Sequence, residues 1–223
     1  MRKKLQKIFK KIMQYIFKKI YGEINVVENN LNNSGVETLN YKPENTLIEY
    51  KVYFIKNGRL YTDRINDTAV IKENKLLDGP SFQLRDNINS NTKNNIVLEK
   101  GTPRKLIKIN GNVLSLLTGG GGNDNYFHWL FDVLPRISIC ENLNLISTVD
   151  YFLCPGLNKF QKESLDLLDY ENIQYLNSIK FRHIITDNLI VSDHPWNFGE
   201  NILSNIENIP NWITLWLKNK FLK

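Results

Sequence analysis

Residues 112–143 pass through three characters in succession, and that order constrains the fold more than any other feature of the chain. An apolar run suited to a strand (Asn112 to Leu117) is followed by four glycines (Gly119 to Gly122) and then by helical spacing from about Asn125 to Leu143. Strand, tight loop and helix in that order are the repeating unit of α/β folds. The pattern recurs downstream. Tyr151 to Cys154 reads as a short buried strand, Asn158 to Leu168 as a helix, His183 to Val191 as one or two strands, and Asn211 to Leu222 as a last amphipathic helix behind Pro210. These segments predict a partly parallel sheet flanked by helices.

Upstream the signals are those of β-structure. Tyr50 to Ile55, then Asn57-Gly58, then Arg59 to Thr62 have the pattern of a hairpin, with further strand candidates at Ala69 to Ile71 and Ile96 to Leu98. Together they predict a small antiparallel β-layer ahead of the α/β part. Residues 23–40 are polar and rich in asparagine (Asn29, Asn30, Asn32, Asn33) and read as a linker, so the domain is expected to begin near Tyr41.

The net charge of +6 is confined to one end. Arg2, Lys3, Lys4, Lys7, Lys10, Lys11, Lys18 and Lys19 stand against Glu23 alone, which leaves the remaining chain near neutral. A near-neutral body lacks the clustered cations that nucleic-acid binding draws on, so no nucleic-acid partner is expected. Between those lysines, Leu5, Ile8, Phe9, Ile12, Met13, Ile16, Phe17 and Ile20 recur at intervals of three and four. That spacing makes residues 1–22 a basic amphipathic helix, too interrupted by charge to span a bilayer but suited to lie on an anionic membrane surface. Docking on its own domain or on a partner is the alternative. Cys140 and Cys154 show no metal-ligand spacing and read as buried free thiols.

Candidate chemistry is concentrated in residues 119–136. Gly120, Gly121 and Gly122 before a helix can let backbone N–H groups approach an anionic ligand, or merely form a turn that allows tight packing. The dinucleotide fingerprint fails because Asn125 holds the position of its third glycine, and no Gly-Lys-Ser/Thr follows as in a phosphate-binding loop. His128 and Asp132 are four residues apart, which places imidazole and carboxylate on one helix face. A carboxylate beside imidazole raises its basicity and fixes its tautomer, as a general base requires, although a surface ion pair or a hydrogen-bonded core histidine has the same spacing. Arg136 continues that face, and Pro135 is expected to kink or end the helix. Tyr126, Phe127 and Trp129 suit either sugar stacking or core packing.

The run from Asn125 through Tyr126, Phe127, His128, Trp129, Leu130, Phe131, Asp132, Val133, Leu134 and Pro135 to Arg136 resembles the signature of glycosyltransferase family 61. Tyr61-Thr62-Asp63 and Trp212 to Phe221 also look like parts of bacterial members, so that the resemblance covers roughly residues 45–223. It implies an inverting transferase of two-lobed GT-B type in bacterial capsule or lipopolysaccharide synthesis. Residues 41–223 would be its Rossmann-like, acceptor-side lobe. Its donor would be a nucleotide sugar, its acceptor a saccharide, and no metal or other cofactor would be required. His128 and Asp132 would be catalytic, with either one as base, and Asn125, Tyr126, Arg136 and the three glycines would contact substrate. The family's second, donor-binding lobe has no counterpart before Lys223, so this chain alone is expected to turn over poorly. The implied location is the cytoplasmic face of the inner membrane, held peripherally by residues 1–22. The competing expectation is a noncatalytic carbohydrate-binding or assembly subunit at the membrane.

Overall fold

The structure, a computed structural model, describes residues 2–26, 35–63, 67–81, 95–100, 104–117, 124–196 and 209–222. Its ten described strands form one mixed sheet laid out around β10 (His183–Ser192), the longest of them. On one edge β10 runs parallel to β7 (Ile107–Ser115), and the sheet continues in parallel to β8 (Tyr151–Cys154) and β9 (Gln174–Asn177). On the other edge two antiparallel strands follow end to end. β3 (Tyr50–Lys56) lies beside Asn188 to Ser192, and β4 (Arg59–Thr62) beside His183 to Ile185. From β3 the sheet extends to β2 (Val36–Tyr41), and from β4 to β5 (Thr68–Lys72), β6 (Lys75–Leu76) and β1 (Asn25–Val26).

Three features differ from the sequence reading. Asn57-Gly58 does not turn a hairpin: β3 and β4 never pair with each other and instead share β10 in one uninterrupted register. A two-residue hairpin turn of the Asn-Gly type needs positive φ at both residues, whereas only Asn57 (φ 51°) has it. The dipeptide is an inline kink, fastened to β10 by Asn57 N–H donating to the Asp187 carbonyl at 2.8 Å and Thr186 N–H donating to the Gly58 carbonyl at 3.1 Å. The expected β-layer is consequently part of the same sheet as the parallel strands. The stretch read as a linker supplies β1 and β2, because Val36 to Tyr41 finds an unoccupied edge on β3; its asparagine-rich centre, 27–34, lies outside the described residues. Ile96, expected in a strand, opens the short helix α2 (Ile96–Lys100), since the Asn95 side chain accepts from Val97 N–H at 3.1 Å and caps it.

Period-two alternation sorts the strand residues onto two faces. Val52, Leu114, Phe152 and Ile190 turn to one side, where they meet α4 (Leu134–Asn142), α5 (Lys159–Leu167) and the C-terminal helix α6 (Asn211–Phe221). Tyr53, Ile55, Val113, Leu153 and Leu189 turn to the other. Burial of Phe152, Leu114 and Ile137 on the helical side contributes about 1.5–3 kcal/mol each. Cys140 and Cys154 are buried free thiols in that core. Asn158 caps α5 through a reciprocal pair with Gln161, which is why the helix starts there.

Helix α1 (Arg2–Tyr21) leaves its apolar stripe in solvent: Leu5, Ile8, Phe9, Ile12, Ile16 and Ile20 are all exposed. Its last turn docks on the sheet, with the Tyr21 ring edge-on to His183 at 5.7 Å and its hydroxyl accepting from Leu106 N–H at 3.2 Å. No helix among the described residues is long and apolar enough to cross a membrane.

The kink between β3 and β4 is tight. A Cβ at Gly58 would stand 2.6 Å from Leu189 Cβ and 2.9 Å from the Ile55 carbonyl oxygen, against atoms that cannot easily withdraw. Gly58→Ala is therefore expected to lower unfolding stability by about 1–3 kcal/mol, the range for an overpacked site. Urea denaturation measures it, and a change within ~0.5 kcal/mol contradicts the inline kink.

Candidate active site

β7 and β10 are adjacent and parallel, but the chain leaves β7 toward β8 on one side and β10 lies on the other. Where strand order reverses in this way, the connections diverge and open a crevice beyond the carboxyl ends of the strands, the usual ligand position in open α/β sheets. His128 and Asp132 come from the segment after β7. His194 and Trp196 come from the segment after β10, and they and His128 converge on the Asp132 carboxylate.

Residues 126–142 do not form the single helix expected. A short turn α3 (Tyr126–His128) passes into one π-helical turn (Trp129–Val133) and then into α4. Leu134 N–H reaches back to the Trp129 carbonyl, five residues earlier. Pro135 accounts for the irregularity: it has no N–H to offer the preceding turn, and its ring would press on that turn's carbonyl. Widening the turn accommodates the ring without ending the helix. Such π turns recur at functional sites. The wide turn is fastened to α5, where Trp129 Nε1 donates to Ser164 Oγ at 2.7 Å.

Asp132 is 1% exposed and accepts from two elements. His128 Nδ1 lies 2.7 Å from Oδ2, and Trp196 Nε1 donates to Oδ1. His194 Nε2 stands 3.7 Å from Oδ2. Burial acts to raise the Asp132 pKa, but the hydrogen bond from His128 and the nearby His194 outweigh it and hold the carboxyl down at about 2. An ionised Asp132 fixes the tautomer of His128, with the proton on Nδ1 and the lone pair on Nε2. Nε2 has no hydrogen-bond partner among the described residues, and the side chain is 28% exposed. Its hydrogen bond to Asp132 raises the His128 pKa above the ordinary value, although burial opposes this. His194, wholly enclosed, is lowered by burial and is therefore neutral near pH 7. Trp196 N–H donates to its Nδ1 at 3.4 Å, which leaves the ring proton on Nε2, facing Asp132.

Arg136 was expected to contact substrate. It is instead buried beneath the wide turn, with Nε donating to the Asp132 carbonyl at 2.9 Å and Nη1 to the Ser192 carbonyl at 3.0 Å. Burial brings its pKa down to about 10, so it remains a cation and ties α4 to the end of β10. Asn125 caps α3, its Oδ1 accepting from Phe127 N–H at 2.8 Å. Tyr126 is exposed and packs edge-to-face on Phe160 at 5.1 Å, at the mouth of a groove of about 480 Å³ between the wide turn, α5 and α6. Gly120, Gly121 and Gly122 lie outside the described residues.

His194 and Trp196 are the site residues that sequence reasoning missed. The signal was a His-Pro-Trp triplet two residues beyond a predicted strand. No family model matches the chain, and no curated protein or solved structure matches it.

The dyad has a pH signature. With its folded value raised, His128 contributes stability that is fully present below about 6.5 and is lost as pH rises through the folded value. Asp132, held low, contributes above about 3.9 and loses that contribution as pH falls toward its folded value. In a histidine NMR titration, His128 is expected to titrate above about 6.5 in the native chain and at or below it in Asp132→Asn. Equal midpoints in the two proteins contradict the pairing.

Proposed function

We propose that the chain is a glycosyltransferase of bacterial surface-polysaccharide assembly in which His128 is the general base and Asp132 its orienting partner. The observation that carries this reading is the division of labour within the dyad. Asp132 is buried with both oxygens engaged, whereas His128 turns a hydrogen-bonded edge to Asp132 and leaves Nε2 for a substrate. That asymmetry favours His128 as base over the reverse assignment.

In this reading a saccharide hydroxyl gives its proton to His128 Nε2 as its oxygen attacks the anomeric carbon of a nucleotide sugar. The bond from that carbon to the diphosphate breaks on the opposite face, the leaving nucleoside diphosphate takes the electron pair, and the configuration inverts. Asp132 stabilises the imidazolium formed and stays ionised itself. The choice of a sugar hydroxyl rests on the resemblance of residues 125–136 to glycosyltransferase family 61 and on a groove that Tyr126, Trp129 and Leu130 of the same segment line. There Tyr126 and Phe160 offer flat apolar faces for a pyranose ring, and Glu163, Thr214 and Lys218 offer polar groups for its hydroxyls. The Rossmann-like, acceptor-side character of this lobe belongs to the same proposal, supported by the parallel strands β7 to β10 and the reversal of strand order at the site.

Association with the inner face of the cytoplasmic membrane is part of the reading. The exposed apolar stripe of α1 is flanked by lysines, each worth up to ~1 kcal/mol near an anionic surface. Replacing Ile8 and Ile12 by glutamate is expected to abolish co-sedimentation with anionic vesicles while leaving the unfolding midpoint of the body unchanged. Retained binding removes α1 as the contact.

Sugar transfer by the full chain, alone and together with a separately supplied donor-binding polypeptide, assayed with a panel of nucleotide sugars and saccharide acceptors, tests the chemistry. His128→Ala and Asp132→Asn are each expected to lower kcat by ~10²- to 10⁴-fold. The rate should rise with pH through the raised His128 pKa, because the base must be unprotonated, and Asp132→Asn should move that limb to lower pH. Unchanged turnover in both variants refutes the assignment.

A further inference from the structure

A second cluster of ionisable groups lies at the amino end of β10, some nine residues of strand away from His128. Arg59 is 7% exposed, and no carboxylate lies within ion-pair distance of it among the described residues. Among the described residues its guanidinium has only neutral partners: Asn74 Oδ1 at 2.6 Å, the Tyr21 carbonyl at 3.4 Å and His183 Nε2 at 3.0 Å. His183 Nδ1 faces the Arg104 carbonyl at 2.9 Å, so that nitrogen carries the proton and Nε2 presents its lone pair to Arg59. The imidazole is uncharged there. Arg59 Nε is buried without a hydrogen-bond partner. A buried cation with no counter-charge is costly unless something anionic joins it.

Beside this cation is a cavity of about 270 Å³ between the last two turns of α1 and the sheet. Arg59, Arg104 and Lys18 line it, with Phe17, Tyr21 and His183 as apolar and aromatic walls. The acid among the lining residues, Glu23, is taken up by Lys18 in an ion pair of 2.5 Å. Among the described residues, no ion pair involves Arg59 or Arg104, and both cations face one small space. A single carboxylate would balance only one of them. A phosphate monoester carries about −1.5 to −2 at neutral pH and suits both.

We propose that this cavity is a binding site for a phosphomonoester group, held by Arg59 and Arg104 and covered by the end of α1. The phosphate is carried either by a lipid headgroup, since α1 forms one wall, or by a soluble ligand. The site stands on the Arg59 cluster alone and does not depend on the chemistry at His128.

The test uses the full chain with inorganic phosphate at constant ionic strength, followed by thermal unfolding and calorimetry. In parallel, vesicles containing phosphatidic acid are compared with vesicles of phosphatidylglycerol matched in surface charge. Phosphate is expected to raise the unfolding midpoint, with affinity falling at least ~10-fold in Arg59→Gln and in Arg104→Gln, the loss of one charge-assisted contact. Arg104 is exposed, so its variant keeps the test valid if Arg59→Gln fails to fold. A preference for phosphatidic acid that Arg104→Gln removes, without binding of free phosphate, assigns the lipid headgroup. No response to phosphate together with no preference among the vesicles overturns the proposal, as does binding that both substitutions leave intact.

Discussion

Both edges of β10 are occupied along its length, and the position of everything else in the chain follows from that. One edge carries β3 and β4 in tandem, the other carries β7, so the two halves of the sequence are joined through backbone hydrogen bonds rather than by packing alone. The exit from β10 is fixed from the same side. Asp193 accepts from Lys51 N–H at 2.8 Å, and the Tyr50 hydroxyl donates to the Pro195 carbonyl at 2.8 Å while accepting from Trp212 Nε1 at 3.0 Å. His194 and Trp196 are therefore delivered to Asp132 by contacts with β3 and α6, on the far side of the sequence from the dyad. The N-terminal β-segment is a structural support of the candidate site.

Local pattern carried the α/β half well. The strand at Tyr151 to Cys154, the capped helix from Asn158, the strand from His183 and the helix from Asn211 lie where apolar spacing and caps place them. It failed where a local signal has two solutions. Asn57 supplies a positive φ equally well to a hairpin turn and to a kink within one strand, and only pairing with β10, more than 120 residues later, decides between them. Val36 to Tyr41 alternates only from Thr38 onward, follows an asparagine-rich run and pairs with β3 alone among the described strands, so composition outweighed period. In the site, the His128 to Asp132 spacing was legible because helical geometry is local. The contacts from His194 and Trp196 were not, since they depend on which strand lies next to β7. The burial of Arg136 was not legible for a related reason: spacing gives the face of a helix, and the sheet beneath determines whether that face sees solvent.

The Asp132 carboxylate is the most constrained charge among the described residues. Removing such a group from water costs several kcal/mol unless its lone pairs are filled, and here the filling comes from an imidazole on the same helix and an indole on another segment. The carboxylate is thus both a hub that joins the segments after β7 and β10 and the determinant of the His128 tautomer. Stability and the poise of the base reside in one atom group and cannot be altered independently there.

The wide turn at Trp129 to Val133 bears on how this stretch can vary. A π turn amounts to one residue more than an α-helical path between the same two ends, and each residue advances a helix by about 100°. Deleting any one position between His128 and Leu134 would restore regular winding and break the register of His128, Asp132 or both with the segment after β10, while Arg136 and the core side of α4 stayed in place. Descendants of this sequence should therefore accept exchanges of side chain here far more readily than changes of length, and an alignment gap placed inside 129–133 would mark a chain that has lost the site.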